Sequence, residues 1–118
     1  MKRIKNEQVM QLIESLKTAA ITKKVPLWKR IATELENPTR SKREVNVYKI
    51  EKVAREGEVI LVPGKVLGSG EISKKVTIAA LSFSESAKNK IIAQKGEVLT
   101  IKELLEKNPQ GSKVRIMG

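Results

Sequence analysis

Val62-Pro63-Gly64-Lys65-Val66-Leu67-Gly68-Ser69-Gly70-Glu71-Ile72 leads through Ser73-Lys74-Lys75 into Val76-Thr77-Ile78-Ala79-Ala80-Leu81. That run continues into Ser82-Phe83-Ser84-Glu85-Ser86-Ala87-Lys88-Asn89-Lys90-Ile91. A glycine-rich turn feeds an apolar strand, and the strand feeds a basic helix. The run from Val76 to Leu81 is almost continuously apolar, as in a strand buried on both faces. Gly68-Ser69-Gly70 marks a turn or bulge. Ser82 with Glu85 fits a capping box, with Ser84 as a rival cap, for a helix reaching Gln94. Ala87 and Ile91, with either Lys88 or Ile92, define its inner edge, and Lys95-Gly96 closes it.

Upstream of this stretch, Glu58 to Val62 reads as a short strand ended by Pro63-Gly64, with Lys65 to Leu67 extended beyond it. Downstream, Glu97 to Leu99 reads as a short strand. Thr100-Ile101-Lys102-Glu103 is a second capping box, opening a helix that buries Leu104 and Leu105 and ends at Asn108-Pro109. Lys113 to Met117 alternates polar and apolar residues as a final strand. A weak strand, turn and helix repeat runs through this half.

The first half reads as helical. Val9, Leu12, Ile13, Leu16, Ala19 and Ala20 recur at helical spacing between Asn6 and Thr22. Pro26 stops one element and opens the next, since proline is tolerated in a first turn. Leu27, Ile31 and Leu35 then share one helix face, and Asn37-Pro38 ends it. Residues 39–46 show no periodicity and read as a basic loop. A third helix follows, capped by Asn46, with Val47, Ile50, Val53 and Ala54 inward and Gly57 as terminator. The expected fold is therefore α/β: one domain over residues 1–118, with a basic helical region (1–56) packed on an α/β core (57–118).

Composition narrows the function. The chain has 118 residues, 24 Lys and Arg against 13 acidic residues, a net charge of +11 and a pI near 10.0. Such an excess repels itself in a compact monomer and favours a polyanionic partner. Twelve of the basic residues, against five Glu, lie in residues 1–50. There is no Cys, His or Asp. That excludes disulfides, thiolate and imidazole metal sites, and triads built on His or Cys. No cofactor is implied. The apolar runs are shorter than a membrane span, and the basic start lacks the apolar segment of a signal peptide. A soluble, cytoplasmic protein with no membrane partner is expected. Aromatics are 3% of the chain (Trp28, Tyr48 and Phe83), too few for a base-stacking platform.

Gly64 to Gly70 fails both nucleotide-binding patterns. A P-loop needs Lys and Ser or Thr directly after its second glycine. A Rossmann loop needs a third glycine and a following helix, where Ser73 and a strand stand instead. The turn needs glycine for positive φ or close backbone approach, or lets backbone lie against phosphates beside Lys65, Lys74 and Lys75; the two readings are compatible. Thr39-Arg40-Ser41-Lys42-Arg43 is the best nucleic-acid candidate, because arginine forks and hydroxyls grip phosphate oxygens. Lys2-Arg3-Ile4-Lys5 reads equally as an RNA-contacting arm or a frayed terminus. Lys23, Lys24, Lys29 and Arg30 extend the basic face around Pro26, beside a Trp28 read as packing. The start of the Lys88–Lys90 helix exposes amides for a phosphate, with Glu85 competing. Glu34 with Glu36, and Glu103 with Glu106, read as solvated pairs.

Pro63 to Glu71, then Val76 to Ala80, then Phe83-Ser84 with Ala87 and Lys90-Ile91, resemble in order and spacing the archaeal and eukaryotic large-subunit ribosomal protein eighteen family. That family is related to the C-terminal half of universal ribosomal protein fifteen. The Trp-bearing second helix, Asn37-Pro38 and Arg43-Glu44-Val45-Asn46 extend the resemblance over the chain. It implies a module of irregular strand-strand-helix units that is a structural constituent of the large ribosomal subunit and not an enzyme. The implied partners are large-subunit rRNA and neighbouring ribosomal proteins, with no small-molecule substrate. Arg40, Lys42 and Arg43, with Gly68, Ser69 and Gly70, are the implied RNA-facing parts. Two rival readings remain: a free-standing nucleic-acid chaperone, and a nucleotide-using enzyme built on the glycine loop.

Overall fold

The computed structural model describes residues 7–36, 44–55 and 57–117. Helices α1 (Glu7–Thr22) and α2 (Pro26–Glu36) come first, followed by β1 (Glu44–Asn46), α3 (Val47–Val53) and β2 (Val59–Leu67). The chain continues through β3 (Thr77–Phe83), α4 (Glu85–Ala93), β4 (Glu97–Thr100), α5 (Ile101–Lys107) and β5 (Val114–Ile116). The five strands form one sheet, and each pairing is parallel.

Strand β2 is the axis of the sheet. One edge pairs with β3, which pairs in turn with β4. The other edge is shared: β5 lies along Val59–Leu61 and β1 along Lys65–Leu67. Two expectations are corrected here. Residues 44–46 are a strand, where the sequence reads as loop, because they pair in register with Lys65 to Leu67. And Pro63-Gly64 interrupts β2 without ending it. The register with β3 shifts between Val62 and Lys65, a β-bulge. Proline has no amide to give a ladder, so it is tolerated where no neighbour asks for one. Residues 62–64 fall in the gap between the β5 and β1 pairings, and there the missing donor costs little.

Both faces of the sheet are covered, as an all-parallel sheet requires. On one face Ile60, Val62, Ile78 and Ala80 meet Val47 and Ile50 of α3 and Ala87 and Ile91 of α4. On the other, Leu61, Ala79 and Leu99 meet Ile13 and Leu16 of α1, Trp28, Ile31 and Leu35 of α2, and Ile101 and Leu104 of α5. Helix α3, grouped by sequence with the first two helices, packs on the opposite face from them. Trp28 is fully buried, a packing residue as its apolar setting predicts, and its indole N–H donates to Pro109 O at 2.7 Å. That bond ties the start of α2 to the loop before β5.

The caps select between alternatives that the sequence leaves open. Ser84, not Ser82, caps α4, accepting from Ala87 N at 3.2 Å. Neither Lys88 nor Ile92 is buried, so Ala87 and Ile91 alone carry the inner edge of α4. Thr100 and Glu103 form the expected capping box of α5. Helix α3 ends at Val53, before Gly57, and Val53 is exposed rather than inward. Leu105 is half-buried, less than expected.

The link from β2 to β3 sets the position of the glycine turn. Leu67 ends at the carboxyl edge of the sheet and Thr77 begins at the amino edge, alongside Val59. The return covers about 26 Å. The ten steps from Leu67 to Thr77 reach about 33 Å extended but about 15 Å as a helix. Residues 68–76 must therefore cross nearly extended, with a backbone that no sheet satisfies.

Candidate nucleic-acid interface

The crossover finds its partners on α3 and α4. Ser69 N donates to Asn46 Oδ1 at 3.3 Å, and Tyr48 N donates to Ser69 O at 3.2 Å. Asn46 precedes α3 as expected, but its side chain makes no cap bond and serves the glycine turn instead. The Lys90 ammonium reaches across from α4 and donates to Gly68 O at 2.7 Å and to Gly70 O. Glu71 stands 3.8 Å from the same ammonium. Further along, the Ser73 amide and hydroxyl both donate to the Glu51 carboxylate. The Lys74 ammonium donates to Glu51 O at 2.7 Å and Ala54 O at 2.9 Å, closing the carbonyl end of α3. A cation there also suits the helix dipole.

Close approach explains two glycines. A Cβ on Gly68 would lie 1.9 Å from Ser86 Oγ and 2.8 Å from Ala87 N, inside the first turn of α4. Gly70 has φ +90°, and a Cβ there would lie 2.3 Å from Tyr48 Cβ. The turn is thus wedged between the starts of α3 and α4. It covers the α4 amides that the sequence offers to a phosphate. An extended crossover, not a helix, follows the turn, so the phosphate-cradling geometry of a nucleotide-binding enzyme is missing here.

The candidate cations fall in separate places. Lys74 and Lys75 are exposed beside α3, and Lys65 is exposed on β2 opposite Glu44. Ser69 and Gly70 are exposed, while Gly68 is half-buried. Lys23 and Lys24 follow α1, and Lys29 and Arg30 lie on α2; all four are exposed. They belong to the helical layer on the other face of the sheet from α3. The structure does not merge these two groups into one patch. Lys2, Arg3, Lys5, Arg40, Ser41, Lys42 and Arg43 lie outside the described residues.

Other cations are engaged within the fold. Arg115 grips Glu58 with two bonds, at 3.0 and 3.1 Å. Chiefly through that hydrogen bonding, the Glu58 carboxyl is held below its ordinary range, helped by the Arg55 amide. Lys17 pairs with Glu36 and Lys107 with Glu97, each at 2.7 Å. Each ammonium is pushed above its ordinary value, chiefly by the hydrogen bond to its carboxylate. Glu36 and Glu103 thus serve an ion pair and a cap. Among the described residues no group of three or more acidic, His or Cys residues is placed to hold a metal, and no helix is long and apolar enough to cross a membrane.

The sequence reading passed over Arg55. It stands at the end of α3 and, with Ser73, Lys74 and Lys75, lines a surface hollow of about 530 Å³ floored by Ala54 and Val76. Its only sequence signal is a basic residue just beyond a short helix, which is too common to single out.

Comparison with known proteins gives concordant matches. The family described as ribosomal proteins 50S-L15, 50S-L18e and 60S-L27A matches residues 25–99. Large ribosomal subunit protein eL18 of Methanococcus maripaludis is 50% identical over 113 residues, covering 96% of this chain and 94% of that protein. The protein of the same name from Methanosphaerula palustris is 52% identical over 112 residues, covering 95% and 93%. That of Archaeoglobus fulgidus is 49% identical over 115 residues, covering 98% of each.

Proposed function

The chain belongs to the family of ribosomal proteins 50S-L15, 50S-L18e and 60S-L27A, and from that premise we propose that it is a structural constituent of the large ribosomal subunit that binds large-subunit rRNA. A member of a ribosomal-protein family is not an enzyme, and the glycine turn is here a structural joint. The observation that carries the reading is near-full-length identity of about half to proteins named for that subunit. A charge of +11 on a rigid scaffold supports it, since polyanion affinity comes chiefly from neutralised phosphates.

Recognition on this reading is by backbone and shape. The described surface exposes cations and hydroxyls, Trp28 is buried and Phe83 is partly buried, so Tyr48 is the one clearly exposed ring among the described residues on which a base could stack. Lys23, Lys24, Lys29 and Arg30, with Lys65, whose strand neighbour Val66 faces the α3 side, would serve one face of the sheet, and Ser69, Gly70, Lys74 and Lys75 the other. Cations on both faces suit a protein lodged between RNA segments and neighbouring ribosomal proteins. Lys2, Arg3 and Lys5, with Arg40, Ser41, Lys42 and Arg43, join this proposed contact set on the chemistry of their side chains. Such a protein works where the ribosome is, in the cytoplasm.

Sucrose-gradient sedimentation of a lysate, probed for this chain, tests the reading. Co-migration with the large subunit that persists through a moderate-salt wash is the expected result. A peak only at the top of the gradient, at low salt as well as high, would sink it in favour of a free-standing chaperone.

A further inference from the structure

The crossover builds a cationic hollow at the end of α3. Arg55, Lys74 and Lys75 line it together with Ser73, and among the described residues no carboxylate does. Two described acids close to it are already engaged: Glu51 accepts the Ser73 amide and hydroxyl, and Glu58 accepts Arg115 and the Arg55 amide. The Lys74 ammonium is held in place by two α3 carbonyls and keeps one N–H unused. Among the described residues the Arg55 guanidinium and the Lys75 ammonium make no side-chain hydrogen bond, and the Arg55 charge acts on the Glu58 carboxylate without a close ion pair. The wall is thus held in place on one side by Lys74, and Arg55 and Lys75 share it with an apolar floor of Ala54 and Val76, both almost fully buried.

From this placement we infer that the Arg55–Lys75 hollow is a discrete docking site for an RNA phosphodiester. An arginine fork matches two phosphate oxygens, and the ammonium groups balance the remaining charge. The lining has no aromatic ring on which a base would stack, so the site takes backbone, not base. It lies one length of α3, about 10 Å, from the Gly68–Gly70 turn. Both belong to the same stretched crossover, so a strand running along α3 meets them in succession. The assignment rests on the proposal that this chain binds large-subunit rRNA, and it names one place where that contact is made.

The test is equilibrium binding of the full chain to protein-free large-subunit rRNA across a salt series. Three proteins are compared: wild type, Arg55→Ala with Lys75→Ala, and Lys88→Ala with Lys102→Ala, which removes two exposed charges elsewhere. The Arg55/Lys75 variant is expected to lower the slope of log affinity against log salt by about 1 to 2, and the control pair to leave it nearly unchanged. Equal losses in both variants would reduce the hollow to bulk charge and overturn the assignment, while leaving rRNA binding intact. No binding by wild type would overturn the functional proposal together with it. A second arm adds inorganic phosphate at matched ionic strength. If the variant loses phosphate binding while its salt slope on rRNA equals that of wild type, the hollow holds a free ion and the diester assignment falls. Since Arg55 and Lys75 are both exposed, the variant keeps the fold, which a thermal melt checks.

Discussion

Gly57 and Gly70 share a positive φ and differ in their surroundings. Their φ values are +87° and +90°, yet a Cβ on Gly57 meets nothing within 4 Å while one on Gly70 runs into Tyr48. Gly57→Ala is expected to cost about 1 kcal/mol, the conformational penalty alone. Gly70→Ala adds steric displacement of α3, for a total of about 2 to 4 kcal/mol. Urea denaturation of the two variants checks the ranking, and equal midpoints would refute the wedged geometry. Acid titration probes another residue-level tie. Hydrogen bonds from the Ser73 hydroxyl first, then the Ser73 amide and the Lys74 charge, depress the Glu51 carboxyl. Folding thus favours the ionised form. Its stabilisation is present above the unfolded value of about 4.3 and is lost as pH falls through the lower folded value. Glu51→Gln should therefore lower Tm at neutral pH and flatten its fall below about pH 4.3. An unchanged acid slope would show that this tie does not exist in solution. The effect is modest, because Glu51 is not deeply buried.

At the scale of the element, caps and crossings do the selecting. Ser82 and Ser84 both precede α4, and only Ser84 has its hydroxyl on Ala87 N. Ser84→Ala should cost about 1 kcal/mol, and Ser82→Ala, at an exposed position inside β3, a few tenths at most. Thermal melts of the pair decide between them; the reverse order would move the cap. The two capping candidates were legible as types of residue, but the choice needed the length of β3. That strand runs on to Phe83 because Lys65 and Val66, beyond the bulge, still pair with Ser82 and Phe83. The same bulge explains why Pro63-Gly64 reads as a stop and is not one. Local sequence carries the proline, whereas the gap between two short parallel neighbours is a fact of the sheet.

On the scale of the whole molecule, the sheet separates the exposed cations into two layers. Lys23, Lys24, Lys29 and Arg30 ride on α1 and α2, while Lys74, Lys75 and Arg55 flank α3. If both layers meet RNA, neutralising either one alone should leave partial binding with a shallower salt slope. Neutralising both should bring binding close to the non-specific level. Filter binding of the two layer variants and their combination to large-subunit rRNA measures this. A single-layer variant that abolishes binding outright would assign the interface to one face.

Periodicity and chemistry, both local properties, made much of this protein readable from its residues alone. Apolar spacing located α1 and α2, the continuous run located β3, and Thr100 with Glu103 located α5. Charge pointed to a polyanion, and the absence of Cys, His and Asp removed most catalytic and metal chemistries. The ordered glycines and apolar runs carried the family resemblance. What the residues left undecided depends on which strands become neighbours. Whether Glu44 to Asn46 pair, whether Pro63 ends a strand, and on which face α3 lies are long-range outcomes of the sheet. So is the fate of the lysines. Lys74, Lys75 and Lys90 are alike in sequence, yet tertiary contact turns Lys74 onto a helix end and Lys90 onto two glycine carbonyls, and leaves Lys75 facing an open hollow. A short return between two parallel strands forced that division, because its extended backbone had to find donors and acceptors wherever the packed helices offered them.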